Sequence, residues 1–185
     1  LCDSMISKIG KYADHDKYLP ELKNILLTMS KMLEELLPLR KSSANMQDIE
    51  MRSLFENIID GEKYLLEQRN MEYTITGELS IKTWQDIAER IVKAGIGNAI
   101  SHGKNGDNIK IVLSEDGFSI ENSGHIEDEL LKHAFEPFVS SDVSKGHGLG
   151  LYIARSYSKI LGWEIDIKNT KEGVMFICKT KKLSE

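Results

Sequence analysis

The chain has 185 residues, 41% of them apolar and 29% charged, with a formal net charge of −5. That composition fits one globular domain of ordinary size with an appendage. Its basic residues gather into no long block and no run of about 18 apolar residues is present, so neither a nucleic-acid partner nor a membrane contact is expected.

Two helices are expected first. Residues 1–14 place Met5, Ile6, Ile9, Tyr12 and Ala13 on one side. Residues 20–40 open at Pro20, which suits a first helical position because its missing N–H would be unpaired there. Leu22, Leu26, Met29, Leu33 and Leu36 form a seam, and Ile25, Met32 and Leu39 a second stripe beside it. Two stripes bury more surface than one neighbour requires, which favours a helical bundle over a lone surface helix. Polar residues 13–17 separate the two segments, which together read as a helical hairpin. Because the sequence opens on Leu1 rather than methionine, the first arm reads as shortened and the chain as part of a longer protein. Residues 41–45 carry no periodicity and read as a linker.

Beyond the linker the texture becomes mixed α/β, so the expected domains are residues 1–45 and residues 46–185. Ser53 and Glu56 resemble a capping box ahead of a helix over 54–69. A strand is expected at 71–76 and a helix at 84–102, with Ile87, Ile91 and Ala94 on one face and Asn98 a turn further on. Strands at 109–113 and 118–121 flank a hairpin turn marked by Asp116-Gly117. Short and long helices follow at 127–133 and 149–161, and strands at 163–168 and 174–180 close the chain as a second hairpin. Hairpins demand antiparallel pairing. The expected fold is therefore α+β: a two-layer sandwich of a mixed, mostly antiparallel sheet with helices on one face, preceded by a helical hairpin. Cys2 and Cys178 lie far apart with no metal-type spacing, and both read as reduced thiols of a cytosolic compartment.

The strongest chemical signal is Lys145-Gly146-His147-Gly148-Leu149-Gly150-Leu151. Alternate glycines let backbone N–H groups approach a ligand, and the helix opening there adds the positive end of its dipole. A phosphate is the natural guest of such a loop, although a flexible turn has the same composition. Three further features accompany it. Asn98 stands in Gly97-Asn98-Ala99-Ile100-Ser101-His102, Asn122 ends a strand in Ile120-Glu121-Asn122-Ser123-Gly124, and Phe135-Glu136-Pro137-Phe138 lies between them and the loop as a candidate flap anchor.

In order and spacing these four features resemble the N, G1, F and G2 boxes of sensor histidine kinases of two-component systems, whose catalytic domain is a GHKL-type ATPase. The resemblance covers about residues 48–181. It implies ATP and Mg²⁺ as cofactors, with Asn98 as the catalytic candidate and Mg²⁺ ligand, an amide oxygen being a hard donor for that ion. His102, one turn along the same face, is a candidate contact for a phosphate or ribose oxygen. Asn122 stands where the family usually has an aspartate that accepts a hydrogen bond from the adenine amino group, and Gly124 would let the backbone pass beneath the base. Lys145, Gly146, His147, Gly148, Leu149 and Gly150 would line the phosphates. The implied activity is that of an ATP-dependent protein histidine kinase, transferring the γ-phosphoryl group to a histidine for relay to a response regulator. It also implies a homodimer through the helical hairpin in the intact protein, and a cytoplasmic portion of a membrane-anchored sensor.

Two matters stay open at this level. His15-Asp16 with Pro20 matches the family's acceptor pattern, but the helix of residues 20–40 resembles the second arm of the hairpin. His15 would then fall in the turn, and the acceptor is expected upstream of Leu1. The chain also departs from the family pattern at Ala94, where a second asparagine is frequent, and at Gly95 and Gly97 inside a helix. The alternative reading is a degenerate ATPase-like interaction module without kinase activity.

Overall fold

The computed structural model describes residues 45–139 and 148–180. The expected helices of residues 1–14 and 20–40 lie outside this range, as do Lys145, Gly146 and His147.

The first described elements form a small ribbon that sequence patterning does not reveal. Strand β1 (Gln47–Glu50) pairs antiparallel with β3 (Ser80–Thr83), from Gln47 opposite Thr83 to Glu50 opposite Ser80. Between them run helices α1 (Met51–Gly61) and α2 (Lys63–Gln68) and strand β2 (Glu72–Thr76). The expected single helix over 54–69 differs from this at both its start and its middle. Met51, Leu54, Phe55, Ile58 and Ile59 are all buried on α1, one continuous stripe at helical spacing. Keeping Met51 in that stripe requires the helix to begin before Ser53. The cap is therefore Glu50, whose carboxylate accepts from the Ser53 N–H at 3.1 Å and from its hydroxyl. In the middle, Gly61 costs about 1 kcal/mol of helix propensity relative to alanine, and the helix breaks at Glu62 before restarting as α2.

Helix α3 (Gln85–His102) carries the chain across to β4 (Asn108–Ser114), which lies parallel to β2 with Ile75 opposite Ile111. A parallel pair needs such a crossover. Strand β5 (Gly117–Asn122) returns antiparallel to β4. Their register sets Ser114 opposite Gly117, so within the expected turn of residues 114–117 only Glu115 and Asp116 are loop residues. Gly117 instead opens β5 at φ +142°, where an added Cβ would overlap the Cys178 carbonyl. After the short helix α4 (Asp128–Lys132) and helix α5 (Gly150–Leu161), β6 (Glu164–Asn169) and β7 (Val174–Lys179) form the closing hairpin. The sheet order is β2-β4-β5-β7-β6, with every pairing after β2-β4 antiparallel. This is the expected α+β sandwich: one mixed, mostly antiparallel sheet with helices on one face.

The core lies between these layers. Ile109, Ile111, Leu113, Phe118, Ile120, Phe176 and Cys178 are buried on the sheet, and Phe55 of α1 meets the Phe118 ring edge-on at 5.2 Å. Each such side chain contributes about 1.5–3 kcal/mol on leaving water. Desolvation also pushes the Cys178 thiol far above its ordinary range, so it is an inert apolar filler. On α3 the buried stripe is Ile87, Ala88, Ile91, Val92, Gly95, Ile96, Ala99 and Ile100, whereas Ala94, expected in it, is only half-buried. Gly95 faces the sheet in its place. A Cβ there would lie 2.6 Å from Ile120 Cδ1 and 3.2 Å from Phe176 Cδ1. The missing side chain lets α3 sit close on the sheet.

Candidate functional site

Strand directions decide where the expected site residues go. Since β4, β5, β7 and β6 alternate in direction across the sheet, the start of β4, the end of β5, the start of β7 and the end of β6 share one edge. Helix α3 enters β4 through residues 103–107, which brings its C-terminal turns to that edge. Helix α5 enters β6 directly after Gly162 and Trp163, so its first turn starts there too. The two helices thus run antiparallel. The guanidinium of Arg90, early on α3, lies 5.5 Å from the ring of Tyr157, late on α5, which fits that arrangement. Asn98 and His102, Asn122 and Gly124, and Gly148 to Gly150 are 20 or more residues apart in sequence yet converge on one end of the sandwich.

Asn98 lies on a half-buried strip of α3 with Ala94, Gly97, Ser101 and His102, beside the fully buried stripe. An added Cβ at Gly97 would meet nothing within 4 Å, so space opens next to Asn98. Asn122 has the same strand parity as Phe118 and Ile120, so it points toward the helices, and only 3% of it is exposed. Set so that its amide oxygen rather than its NH₂ meets two donors, Asn122 accepts from the Gly124 N–H at 3.0 Å and, at 3.2 Å, from the Gly103 N–H, which also donates to the Ala99 carbonyl at 2.9 Å. Gly124 passes tightly over the end of α3, where a Cβ would lie 2.6 Å from the His102 carbonyl oxygen.

Partners that sequence alone does not identify hold this corner. Asp107 accepts from the Ser123 N–H at 2.7 Å, and Arg69 donates to the Gly103 carbonyl at 2.6 Å and to Asn105 Oδ1 at 3.1 Å. Asn169 accepts from the Ile126 N–H at 3.1 Å and donates to the Ile126 carbonyl at 2.7 Å. Those partners are 16, 34, 36 and 43 residues away, beyond any local pattern.

The two phenylalanines of the candidate flap anchor differ in their burial. Phe135 packs with Ile126, Leu131 and Leu151 onto Ala134, Ile167 and Val174, and Arg155 sits 5.2 Å from its ring. Phe138 is instead 56% exposed, at φ +67°. Its N–H donates to the Gly148 carbonyl at 3.0 Å. Gly148, at φ +66°, crosses so near that a Cβ would lie 2.6 Å from the Val139 carbonyl oxygen. Leu149 sends its side chain into the core at 6% exposure, leaving only its backbone to face a ligand. Helix α5 then starts at Gly150 with no side-chain cap and no acidic residue in its first turn. That end therefore keeps its positive dipole character. Nearby, Glu136 accepts from His133 Nδ1 at 2.8 Å, which raises the imidazole pKa above the ordinary histidine range.

Among the described residues no group of three His, Cys, Asp or Glu side chains could hold a metal ion. A lone amide such as Asn98 suits an ion that arrives with phosphate oxygens and waters as its other ligands. Among the same residues no helix is long and apolar enough to cross a membrane.

Comparison with known proteins agrees with this geometry. Residues 85–184 match the model of the histidine kinase-, DNA gyrase B-, and HSP90-like ATPase family. The sensor protein VanSB of Enterococcus faecalis is 25% identical over 195 aligned residues, covering 95% of this chain and 43% of VanSB. The sensor histidine protein kinase HK06 of Streptococcus pneumoniae is 30% identical over 84% of this chain and 38% of its own length. The chain thus spans less than half of these curated relatives. Among solved structures, the catalytic domain of histidine kinase ThkA in a nucleotide-free form superposes with a TM-score of 0.66 at 25% identity, over 75% of this chain and 97% of that domain.

Proposed function

The chain belongs to the family of histidine kinase-, DNA gyrase B- and HSP90-like ATPases, as a GHKL-type sensor histidine kinase, and from that premise we propose how its residues divide the work. Residues 46–185 bind ATP with Mg²⁺ and pass the γ-phosphoryl group to a histidine, from which a response regulator takes it. The observation that carries this reading is the convergence at one sheet edge of Asn98, Asn122, Gly124 and the uncapped, glycine-rich start of α5. The N–H groups of that first turn receive phosphate oxygens, with Lys145, Gly146 and His147 completing the cradle. Asn98 faces the phosphates from the opposite wall, and His102 stands a turn nearer the base. Mg²⁺, when bound with the triphosphate, supplies charge neutralisation, and Asn98 is the residue that holds it. What this chain does chemically is position the nucleotide for in-line transfer. Residues 1–45 belong to the dimerisation hairpin, and the sensor to which they connect is membrane-anchored with this portion in the cytoplasm.

Calorimetry with ATP and Mg²⁺ tests the site directly. Asn98→Ala should weaken Mg²⁺-dependent binding by about tenfold or more and leave thermal stability nearly unchanged, because Asn98 is only half-buried. Heat of binding that Asn98→Ala leaves intact would sink the metal assignment. No heat from the unaltered chain would favour the interaction-module alternative, which the internal engagement of the Asn122 oxygen already favours in part.

A further inference from the structure

We propose that Asp107, backed by Arg69, is a positioning residue for the base subsite: it sets how far the turn of residues 122–124 stands from the last turn of α3. This rests on the reading above, that a nucleotide base lies at the end of β5. Neither Asp107 nor Arg69 is among the residues which that reading puts against the nucleotide.

One atom carries the argument. Asp107 Oδ2 accepts from the Ser123 N–H at 2.7 Å, and the same oxygen lies 2.8 Å from where a Cβ on Gly103 would stand. It therefore sits between the residue that caps α3 and the residue that links Asn122 to Gly124. Strand β5 ends at Asn122, so the Ser123 N–H lies beyond the last ladder pair, and this carboxylate serves it. A bond from a backbone N–H to a carboxylate is shorter and stronger than one between neutral groups.

The loop that delivers the carboxylate is held from behind. Arg69 donates to the Gly103 carbonyl at 2.6 Å and to Asn105 Oδ1 at 3.1 Å, while its own carbonyl accepts from the Gly106 N–H at 3.0 Å. The Asp107 carbonyl accepts from the Glu72 N–H at 2.8 Å. Residues 103–107 are thus fastened to residues 69–72 along their length. On the other side Gly124 passes so near the His102 carbonyl that a Cβ would lie 2.6 Å from its oxygen. A site is only as precise as the groups that hold its walls, and a small displacement of a positioned group is costly. Removing the Asp107 carboxylate frees Ser123 and Gly124 to move off α3 without deleting any group that touches the nucleotide. Both Asp107 and Arg69 are only half-buried, so replacing either leaves the core intact.

The test is calorimetric titration with ATP and ADP, with and without Mg²⁺, of the unaltered chain, Asp107→Ala, Asp107→Asn and Arg69→Met. Asp107→Ala should weaken ATP and ADP by the same factor, about tenfold. The factor by which Mg²⁺ strengthens ATP binding should not change, because the phosphate end is untouched. Asp107→Asn should return to within about threefold of the unaltered chain, since an amide oxygen accepts the same N–H. A purely structural carboxylate would instead lower the melting temperature and leave the affinity of the folded chain alone. The proposal is overturned if folded Asp107→Ala binds ATP as tightly as the unaltered chain, or if its Mg²⁺ factor falls along with its affinity. It is equally overturned if Asp107→Asn binds no better than Asp107→Ala. Where Asp107→Ala does not fold, Arg69→Met decides: ATP should weaken at an unchanged Mg²⁺ factor, and unchanged affinity overturns the proposal. An absence of heat from the unaltered chain would overturn the nucleotide-site reading itself, and this inference with it.

Discussion

Two glycines in one helix illustrate how differently the same residue type can act. Sequence treats Gly95 and Gly97 alike, each costing about 1 kcal/mol relative to alanine in a helix interior. Their surroundings separate them. Gly97→Ala adds a methyl group to open space, so it should stabilise the fold by about 1 kcal/mol and raise the melting temperature by about 2–4 °C. The same methyl group projects beside Asn98, so nucleotide affinity should fall as stability rises. Gly95→Ala instead drives a Cβ to 2.6 Å from Ile120 Cδ1 in the core. Overpacking there costs about 1–3 kcal/mol against about 1 kcal/mol of propensity gained, so the net effect should be destabilising by roughly 0–2 kcal/mol. Thermal melts of the two variants check the opposite signs. If both variants stabilise, the close seat of α3 on the sheet is not what Gly95 is for.

At the scale of elements, periodicity carried most of the fold. Alternation at Ile109, Ile111 and Leu113 and the helical stripe through Ile87 and Ile91 mark β4 and α3 because each has one face in water and one in the core. The ribbon of β1 and β3 stayed hidden because each strand has only four residues and β1 buries only Ile49. The start of α1 escapes local patterning for a related reason: Ser53 is a common capping residue, yet here it is the donor and Glu50 the acceptor. That cap makes its own prediction. The Ser53 contact holds the Glu50 pKa below the ordinary glutamate value, so the carboxylate favours the folded form while ionised. Its contribution is present above the unfolded-state pKa and fades as pH falls through the lowered folded-state pKa. Glu50→Ala should therefore speed amide exchange in the first turn of α1 at neutral pH, and the unaltered chain should show the same loss only in acid. Exchange that is unchanged by the substitution would mean that the first turn is held by packing of Met51 alone.

For the whole molecule, order along the chain was legible and convergence was not. The succession Asn98, Asn122, Phe135, Gly148 can be read from sequence, but only alternating strand directions bring those positions to one edge. The tie of Asn122 to Gly103 was equally unreadable, since it depends on how β5 ends against α3. The same architecture bears on the phosphoryl acceptor. Of the three histidines described in the nucleotide domain, His102 belongs to the site strip, His133 is paired with Glu136, and His125 is exposed directly after Gly124. Under the proposed function we expect the acceptor on a separate element, either the segment with His15 or a hairpin arm outside this sequence, rather than at one of these three histidines. Incubating this chain with γ-labelled ATP distinguishes them. We expect ATP binding with no acid-labile, base-stable label on the chain, and label appearing on a separately supplied acceptor hairpin. Label that forms on the chain and disappears in His15→Ala would assign the acceptor to His15. Label that survives His15→Ala would place it inside the nucleotide domain, against the geometry of the α3 and α5 edge.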